Sequence, residues 1–498
     1  MNDLVLAWPD VIYDLRDLLE DRADPVYIVG GAVRDALLRR PIQDVDITVP
    51  GQGIKLAKQI ANGLHGAFFV LDAERDVGRA LIDTPEGRLS IDVSGFRGES
   101  LEADLRDRDF TVNAMAVDLR GDLNQVIDPT GGAADTLKKT IRRCNPDAIA
   151  NDPIRALRAV RQSVQFGFRI EPETVKDIRT AAPHLLDTSI ERVRDELFKM
   201  LGQWKPEQAL RVTDHLGLLT PIIPEVAALH GLKQHPHHAY DGWNHTLAVV
   251  EHLNDILTTI NDKRTDESAA QFSLGLIVMG MDRYRPQLKA HFSQTWPGER
   301  SHRALLMLTA LLHDIGKPLV TPVLDDEGHP RFRNHETAGA VAAEARVEAL
   351  HLSNDERERI VMLVRHHMGS ALWKDNLTPV EIYRYWKQMG EAGIDLMVLT
   401  MADYLGAFGA RYRQDDWLRL IERAQTLLRA YYEDHERLVE PPVLINGNEL
   451  MQALGLKPGP VIGDLLEQIR EAQVNGEIFN ADDALRFARL HVSNGKGG

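Results

Sequence analysis

Short apolar runs bounded by polar or glycine-rich breaks recur between residues 26 and 120. VYIVG (Val26 to Gly30), VDITV (Val45 to Val49), AFFVLD, RALID, RLSIDVS and TVNAMAVDL have the length and the β-branched or aromatic content of strands. Between them, GAVRDALLRR from Gly31 and GIKLAKQIANGL carry apolar residues at helical spacing. From about residue 131 the pattern becomes helical and stays so, broken by turns such as Asp128-Pro129-Thr130-Gly131-Gly132. IRALRAVRQSVQFGF has helical spacing, Gly231–His245 is dense in histidine, and helices continue to about residue 430. Pro441-Pro442 marks a linker, and INGNELMQALGLKPGPVIGDLLEQIREAQ reads as two short helices around a Pro-Gly turn. The pattern predicts an α+β fold: a mixed α/β head followed by all-α parts and a small helical tail.

With 498 residues, at roughly 100–200 per domain, three or four domains are expected. The single cysteine, Cys144, excludes an intramolecular disulfide and Cys-rich zinc modules and points to a reducing, cytoplasmic setting. The opening MNDLVLAWPDVIYDLRDLLEDR has acids throughout and no basic-then-apolar order, so it does not read as a signal peptide. No apolar run is expected to span a bilayer, so no membrane partner is expected. The net charge of −16 argues against a nucleic-acid partner only until its distribution is considered. Residues 1–135 carry about −11, whereas 136–211 carry about +5. A basic segment in an acidic protein is what a local RNA-contacting surface needs.

The strongest chemical signal is Gly30-Gly31-Ala32-Val33-Arg34-Asp35 followed by Asp44-Val45-Asp46. A Gly-Gly turn between strand and helix offers free N–H groups and close backbone approach to a phosphate. Arg34, one turn into the helix, is placed to reach the same phosphates. Asp44 and Asp46, at i and i+2 of a strand, face the same side. Paired like charges call for a cation, and hard oxygen ligands suit Mg²⁺ shared with substrate phosphates. Asp92, in RLSIDVSGF, is the candidate third carboxylate.

GGAVRD with DVD resembles the first motif of class II nucleotidyltransferases, the CCA-adding enzymes and bacterial poly(A) polymerases. Arg106-Asp107-Arg108-Asp109-Phe110-Thr111-Val112-Asn113-Ala114 resembles their RRDFTxNA motif, with Asp107 in place of the first arginine. The resemblance implies ribose and triphosphate handling by Arg108, Asp109 and Asn113. Arg106 is one residue off the missing arginine's position. Asp128-Pro129 with Gly131-Gly132 is similar to the next family motif, a turn linking domains. Asn151-Asp152-Pro153-Ile154-Arg155 looks like the EDxxR motif, with Asn151 as its first position, and Arg158 and Arg161 continue the row. Asp152 and Arg155, three apart, are expected to share a helix face. A carboxylate accepts from the amino group of cytosine or adenine and a guanidinium donates to the adjacent ring nitrogen, whereas uracil and guanine reverse that order. Such a pair selects C and A without a template. Glu191-Arg192-Val193-Arg194-Asp195-Glu196-Leu197, after Thr188-Ser189, resembles the last motif and reads as a mainly structural capped helix start.

His245, His313-Asp314 and Asp403 resemble the H…HD…D pattern of HD-domain phosphohydrolases. His335 and His366-His367 match members that hold two metals. Imidazole with carboxylate suits Mn, Fe, Ni, Zn or Mg. His230, His235, His237, His238 and His252 read as surface or packing residues.

The resemblance thus implies a nucleotidyltransferase head (1–135), a helical neck reading base and RNA (136–232), an HD domain (233–430) and a tail (431–498). Its implied substrates are CTP, ATP and a tRNA 3′ end, recognised by shape and backbone, with no DNA partner. The expected activity is addition of the CCA end by two-metal chemistry with Mg²⁺, beside an HD centre holding Mn, Ni or Fe. A poly(A) polymerase would carry a GRRFxLxHV-like segment after DxD, and GAFFVLDAERDVGRALI lacks it. Enzymes adding only CC or only A remain alternatives. A phosphohydrolase with a mere binding head would not need Asp44 and Asp46, and a non-enzymatic sensor would have lost its ligands.

Overall fold

Seven strands, β1 (Tyr27–Val29), β2 (Asp44–Val49), β3 (Ala67–Asp72), β4 (Val77–Thr84), β5 (Gly87–Gly95), β6 (Ala116–Asp118) and β7 (Val126–Ile127), form one sheet in the order β3-β4-β5-β2-β1-β6-β7. β2 and β5 run parallel and every other neighbour pair is antiparallel. The structure is a computed structural model and describes residues 5–85, 87–261, 272–369, 371–374 and 377–494. The chain divides into two compact units, Met1–Leu197 with Gln208–Ile222, and Phe198–Glu207 with Ile223–Gly498.

Alternation along β2 and β5 builds the first unit. Val45, Ile47, Ile91 and Val93 turn to one face and join Leu56, Ala57, Ile60 and Ala61 of the helix Gly53–Gly63 in one core. Each such large side chain contributes about 1.5–3 kcal/mol on burial. Asp44 and Asp46 are therefore left on the opposite face. Asp76 caps that helix, accepting from the N–H groups of Gly53 (2.6 Å) and Ile54 (3.0 Å). The strand expected over TVNAMAVDL is shorter than its apolar pattern implies. Thr111–Asn113 forms a 3-10 turn and only Ala116–Asp118 pairs in the sheet. The turn is fixed by the side chain of Asp109, which accepts from the Phe110 N–H at 2.8 Å. Asp128 accepts from the N–H groups of Thr130, Gly131, Gly132 and Ala133, opening the helix Gly132–Leu137. A Cβ on Gly132 would lie 2.0 Å from the Thr111 carbonyl oxygen, so only glycine fits there. The helix Ile154–Phe166 ends at Gly167, with φ +68°.

The second unit is helical, with Gly242–Asn261, His302–Leu312, His335–Ala349, Asn354–His366, Pro379–Met389, Ala392–Phe408 and Gln414–Tyr432 among its helices. Its tail holds the two expected helices, Gly447–Leu454 and Pro460–Val474, and beyond them a third, Ala481–Asn494, all packed around Leu450, Leu465, Ile469 and Ala484. The stretch Ala392–Arg411 is long and apolar enough to cross a membrane, contrary to the sequence expectation, but 83% of its window is buried inside the protein. It is a core helix: Asp395 within it accepts from His291, His302 and Arg359.

Candidate active site and candidate metal centre

The first site forms where β1 ends. Gly30 has φ +74°, and a Cβ there would lie 3.0 Å from a guanidinium nitrogen of Arg108 and 3.2 Å from Asp46 Oδ2. The register pairs Val29 with Asp46 across β1 and β2, and Asp46 with Asp92 across β2 and β5. Three carboxylates thus meet beside the Gly-Gly turn. Asp92 is clamped by its cross-strand neighbour Arg79, at 2.6 and 2.8 Å. Asp44 and Asp46 accept no hydrogen bond among the described residues and are open to solvent. The surrounding pocket walls strip part of the water from the still accessible Asp46 carboxyl, which raises its pKa; Asp92 and Asp44 add to this, while Arg108 and Arg97 oppose it. Asp44 is raised by its own desolvation and by Asp92. Unsatisfied hard oxygens that repel one another fit a divalent cation.

Beside them opens a pocket of about 440 Å³, lined by Gly30, Gly31, Asp46, Asp109, Asn113, Asp152, Gln162, Gln165, Phe166 and seven arginines. Arg34 lines it as a braced wall. Its guanidinium bonds Asp35 (2.9 and 3.0 Å) and Asn113 Oδ1 (2.5 Å) and lies 4.0 Å above the Phe166 ring. Asp109 is buried and accepts from Asn113 Nδ2 (3.0 Å) and Arg158 (2.8 Å). Burial alone would raise its carboxyl; Arg158 and the hydrogen bonds win and hold it at about 2. Arg108 pairs with the buried Asp104 at 3.2 Å. Arg106 turns instead to the exposed Glu102 and does not line the pocket.

The shared helix face expected for Asp152 and Arg155 is not formed. The helix starts at Ile154, and Asp152 precedes it with extended backbone, φ −146° and ψ 90°. Pro153 lies between them and separates the short helix Ala148–Asn151 from the longer one. Both residues still line the pocket, 3.9 Å apart. Asp152 bonds Arg192 at 2.8 Å, and Arg155 donates to the backbone oxygens of Asp107 (2.9 Å), Arg108 and Ala148 (both 3.4 Å). Arg161 bonds Glu196 at 2.7 Å. The segment expected to be mainly structural therefore supplies Arg192 and Glu196. Sequence reading also missed Arg97, Gln162, Gln165 and Phe166 in the lining. Arg192, by contrast, belongs to the Glu191–Leu197 segment already singled out in the sequence, where it was read as structural.

In the second unit, His245, His313, Asp314, His335, His367 and Asp403 come from five separated segments. Asp314 stands between two groups of imidazoles. Its Oδ2 lies 3.3 Å from Nε2 of both His245 and His313, and its Oδ1 lies 3.2 Å from His335 Nε2 and 3.7 Å from His367 Nε2. Asp403 Oδ1 is 3.2 Å from His245. His313, His335 and His367 each donate from Nδ1 to a backbone carbonyl, of Ala310 (2.7 Å), Phe332 (2.6 Å) and Val364 (2.7 Å). Because a carbonyl can only accept, the neutral ring keeps its Nε2 lone pair for a metal. Nε2 of His245 and of His313 is buried without a hydrogen-bond partner, which fits a metal-ligating role. Burial opposes charge on His245, yet Asp314 and Asp403 raise it to about 9. Lys317 Nζ sits 2.5 Å from Asp314 Oδ2, a contact absent from the sequence reading. His366 lies outside the cluster, 3.4 Å from Gln388, because its neighbour His367 takes the inward position.

His235, His237 and His238 are not mere surface residues: they line a pocket of about 610 Å³ over Asp314, His335 and Asp403. Burial, then Lys317, lowers His238 to about 3. Two further His/Asp clusters each contain a ring of the opposite polarity. Trp296 Nε1–H donates to His302 Nδ1, so His302 Nε2 carries the proton given to Asp395. The His237 N–H likewise donates to His235 Nδ1, and His235 Nε2 faces Asp325 at 3.1 Å. The neutral rings of His302 and His235 therefore have no lone pair left for a cation.

The family model described as "Poly A polymerase head domain" matches residues 26–142, the HD domain model matches 242–407, and tRNA nucleotidyltransferase domain 2 matches 337–488. A relative from Deinococcus radiodurans, the A-adding tRNA nucleotidyltransferase, is 30% identical over 93% of this chain and 94% of its own. The CC-adding tRNA nucleotidyltransferase of Thermus thermophilus is also 30% identical, over 92% of each chain. The solved complex structure of a CCA-adding enzyme with CTP superposes with a TM-score of 0.61 at 20% identity, over 98% of this chain and 96% of that one.

Proposed function

The chain belongs to the tRNA nucleotidyltransferase family, and on that footing we propose that it extends the 3′ end of tRNA with C and A from CTP and ATP. The observation that carries this reading is the register that sets Asp44, Asp46 and Asp92 beside the Gly-Gly turn and an arginine-lined pocket. Asp44, Asp46 and Asp92 would hold Mg²⁺ there. Bound Mg²⁺ supplies Lewis-acid activation of a 3′-hydroxyl and neutralises charge on departing pyrophosphate. Gly30 and Gly31 admit the triphosphate to the backbone, with Arg34 and Arg108 as cationic walls. Asp109 positions Asn113 and Arg158, and Asn113 braces Arg34. Asp152 and Arg155 read the pairing edge, with Arg192 holding the Asp152 carboxylate and Glu196 holding Arg161. An amino group facing the carboxylate and a ring nitrogen facing a guanidinium admit C and A. Uracil and guanine would leave both groups desolvated and unpaired.

The proposed division is a head at 1–135, a neck at 136–232, an HD domain at 233–430 and a tail at 431–498. In the HD domain His245, His313, Asp314 and Asp403 would hold one transition metal such as Mn, Ni or Fe, and Asp314, His335 and His367 a second. Such a centre supports phosphoester hydrolysis. One half-buried cysteine, with its thiol pushed up to about 12 by burial and by Asp109, accords with a cytoplasmic setting.

A second reading, addition of A only or CC only, is favoured by the two relatives' names. Incubation with tRNA ending in the discriminator base, CC or CCA, plus each nucleoside triphosphate singly, separates them by product length. No extension of any of the three tRNAs would overturn both readings.

A further inference from the structure

Six of the seven pocket arginines are already engaged by protein groups. Arg34 is held by Asp35 and Asn113, Arg108 by Asp104, and Arg155 by backbone carbonyls. Arg158 is held by Asp109, Arg161 by Glu196, and Arg192 by Asp152. Arg97 is different. Its side chain is exposed, lines the pocket with Gly30, Gly31 and Asp46, and makes no hydrogen bond or ion pair among the described residues. Its backbone, by contrast, is fixed. The Arg97 N–H donates to Asp104 Oδ1 at 3.1 Å, and Asp104 is 1% exposed. The other oxygen of that same buried carboxylate receives Arg108 at 3.2 Å. One acid therefore anchors a committed guanidinium and aims a free one.

We propose that Arg97 binds the polyphosphate of the incoming nucleoside triphosphate, and the pyrophosphate product, in this pocket. The proposal rests on reading the pocket as the nucleotide site. An arginine in an ion pair must give up part of that pair to engage a ligand, whereas the Arg97 side chain has no hydrogen bond or ion pair among the described residues to give up. Its planar fork matches two phosphate oxygens at once. Its place beside Asp46 puts the charge at the carboxylate end of the pocket, where the reacting phosphates would gather. The Asp152 and Arg192 end is where the base would lie. Arg97 is thus a substrate-binding residue for the part of the nucleotide common to CTP and ATP, and it takes no part in base choice.

The test is equilibrium binding of CTP, CMP, pyrophosphate and tRNA to the full chain with Mg²⁺, for wild type, Arg97→Ala and Arg97→Lys. Arg97→Ala should weaken CTP and pyrophosphate by about tenfold or more, the scale for losing charge-assisted hydrogen bonds. CMP and tRNA affinity should stay within about twofold, well under the scale of one such bond. Arg97→Lys should recover part of the loss, because charge is restored without the fork. A merely structural role would shift CTP and CMP together. An unchanged ratio of CTP to CMP affinity overturns the proposal, as does a loss confined to tRNA. Failure of the wild-type chain to bind CTP at all would instead overturn the reading of the pocket itself.

Discussion

The two candidate centres offer donors to a cation in opposite ways. In the first unit the donors are carboxylates on the solvent-open face of a strand, with no protein hydrogen bond to Asp44 or Asp46 among the described residues. In the second they are mainly imidazoles, buried, with three Nδ1 atoms tied to carbonyls. An open, like-charged pair of acids is incomplete until a cation arrives, and it leaves that cation's far side free for phosphate oxygens. A ring locked by its other nitrogen is finished before the metal binds and can retain it between reactions. The difference points to a shared, substrate-borne cation in the first site and a resident one in the second.

The sharpest way to break that contrast is to remove the open acids. Asp44→Ala or Asp46→Ala is expected to lower nucleotide transfer by about 10³-fold or more, while tRNA affinity changes by only a few fold. Because neither side chain is bonded to its surroundings, thermal stability should not fall. Steady-state incorporation and a binding titration check this, and normal turnover in both variants would end the cation-site assignment.

The resident centre should fail differently. His313→Ala is expected to lower bound transition metal by about 10²-fold in affinity, measured on purified protein by elemental analysis and titration, with transfer to tRNA intact. His302→Ala is the matched control: it removes a buried imidazole of the reverse ring polarity from a His/Asp cluster, so metal content should not change. Equal metal loss in both variants would show that ring polarity does not distinguish the clusters.

These contrasts were unequally legible in the sequence. The strand alternation of DVD and the glycine pair announce the first site because its parts are local, and the sheet register sets Asp92, the candidate third carboxylate, beside Asp46. The six histidines and acids of the second site could be selected by their resemblance to the H…HD…D pattern. Choosing His367 over His366 required knowing which ring reaches Val364 O. The shared helix expected for Asp152 and Arg155 is not formed, because Pro153 ends one helix and starts another, although the two side chains still come within 3.9 Å. Arg97 and Lys317 were invisible, and Arg192 was visible only within a segment read as structural, for a simpler reason. Their importance lies in which partners they have or lack across the fold, and charge in a sequence does not say whether it is already spent.

A smaller effect tests how the first site reads its substrate. Arg155→Ala is expected to weaken use of CTP and ATP by about 1–3 kcal/mol each, with UTP and GTP less strongly rejected in relative terms. Arg155 also ties the carbonyls of Asp107 and Arg108, so Arg192→Ala separates the two contributions. It frees Asp152 without touching that backbone. If base choice loosens in both variants, the edge is read by the Asp152 group. If only the overall rate falls in Arg155→Ala, its role is to hold the backbone. Incorporation kinetics with all four nucleotides decide between them, and unchanged selectivity in both variants returns the pair to an ion pair of the surface.

The smallest effect concerns acid stability, where the two units should again part. Asp109 has a folded pKa of about 2, below its ordinary value, because Arg158, Asn113 and the Phe110 N–H outweigh its burial. A depressed carboxyl contributes stability that is fully present above its unfolded pKa, near 4, and is lost as pH falls through about 2. That contribution is on the order of 2 kcal/mol at neutral pH. Asp109→Asn should therefore destabilise the first unit at pH 7. The gap between variant and wild type should narrow below about pH 4 and nearly close near pH 2. Denaturant unfolding followed through Trp8, in the first unit, against the Trp417 signal of the second, separates them. A variant gap of constant size from pH 7 to pH 2 would show that Asp109 titrates alike folded and unfolded, and that the Arg158 pair does not set the electrostatics of this pocket.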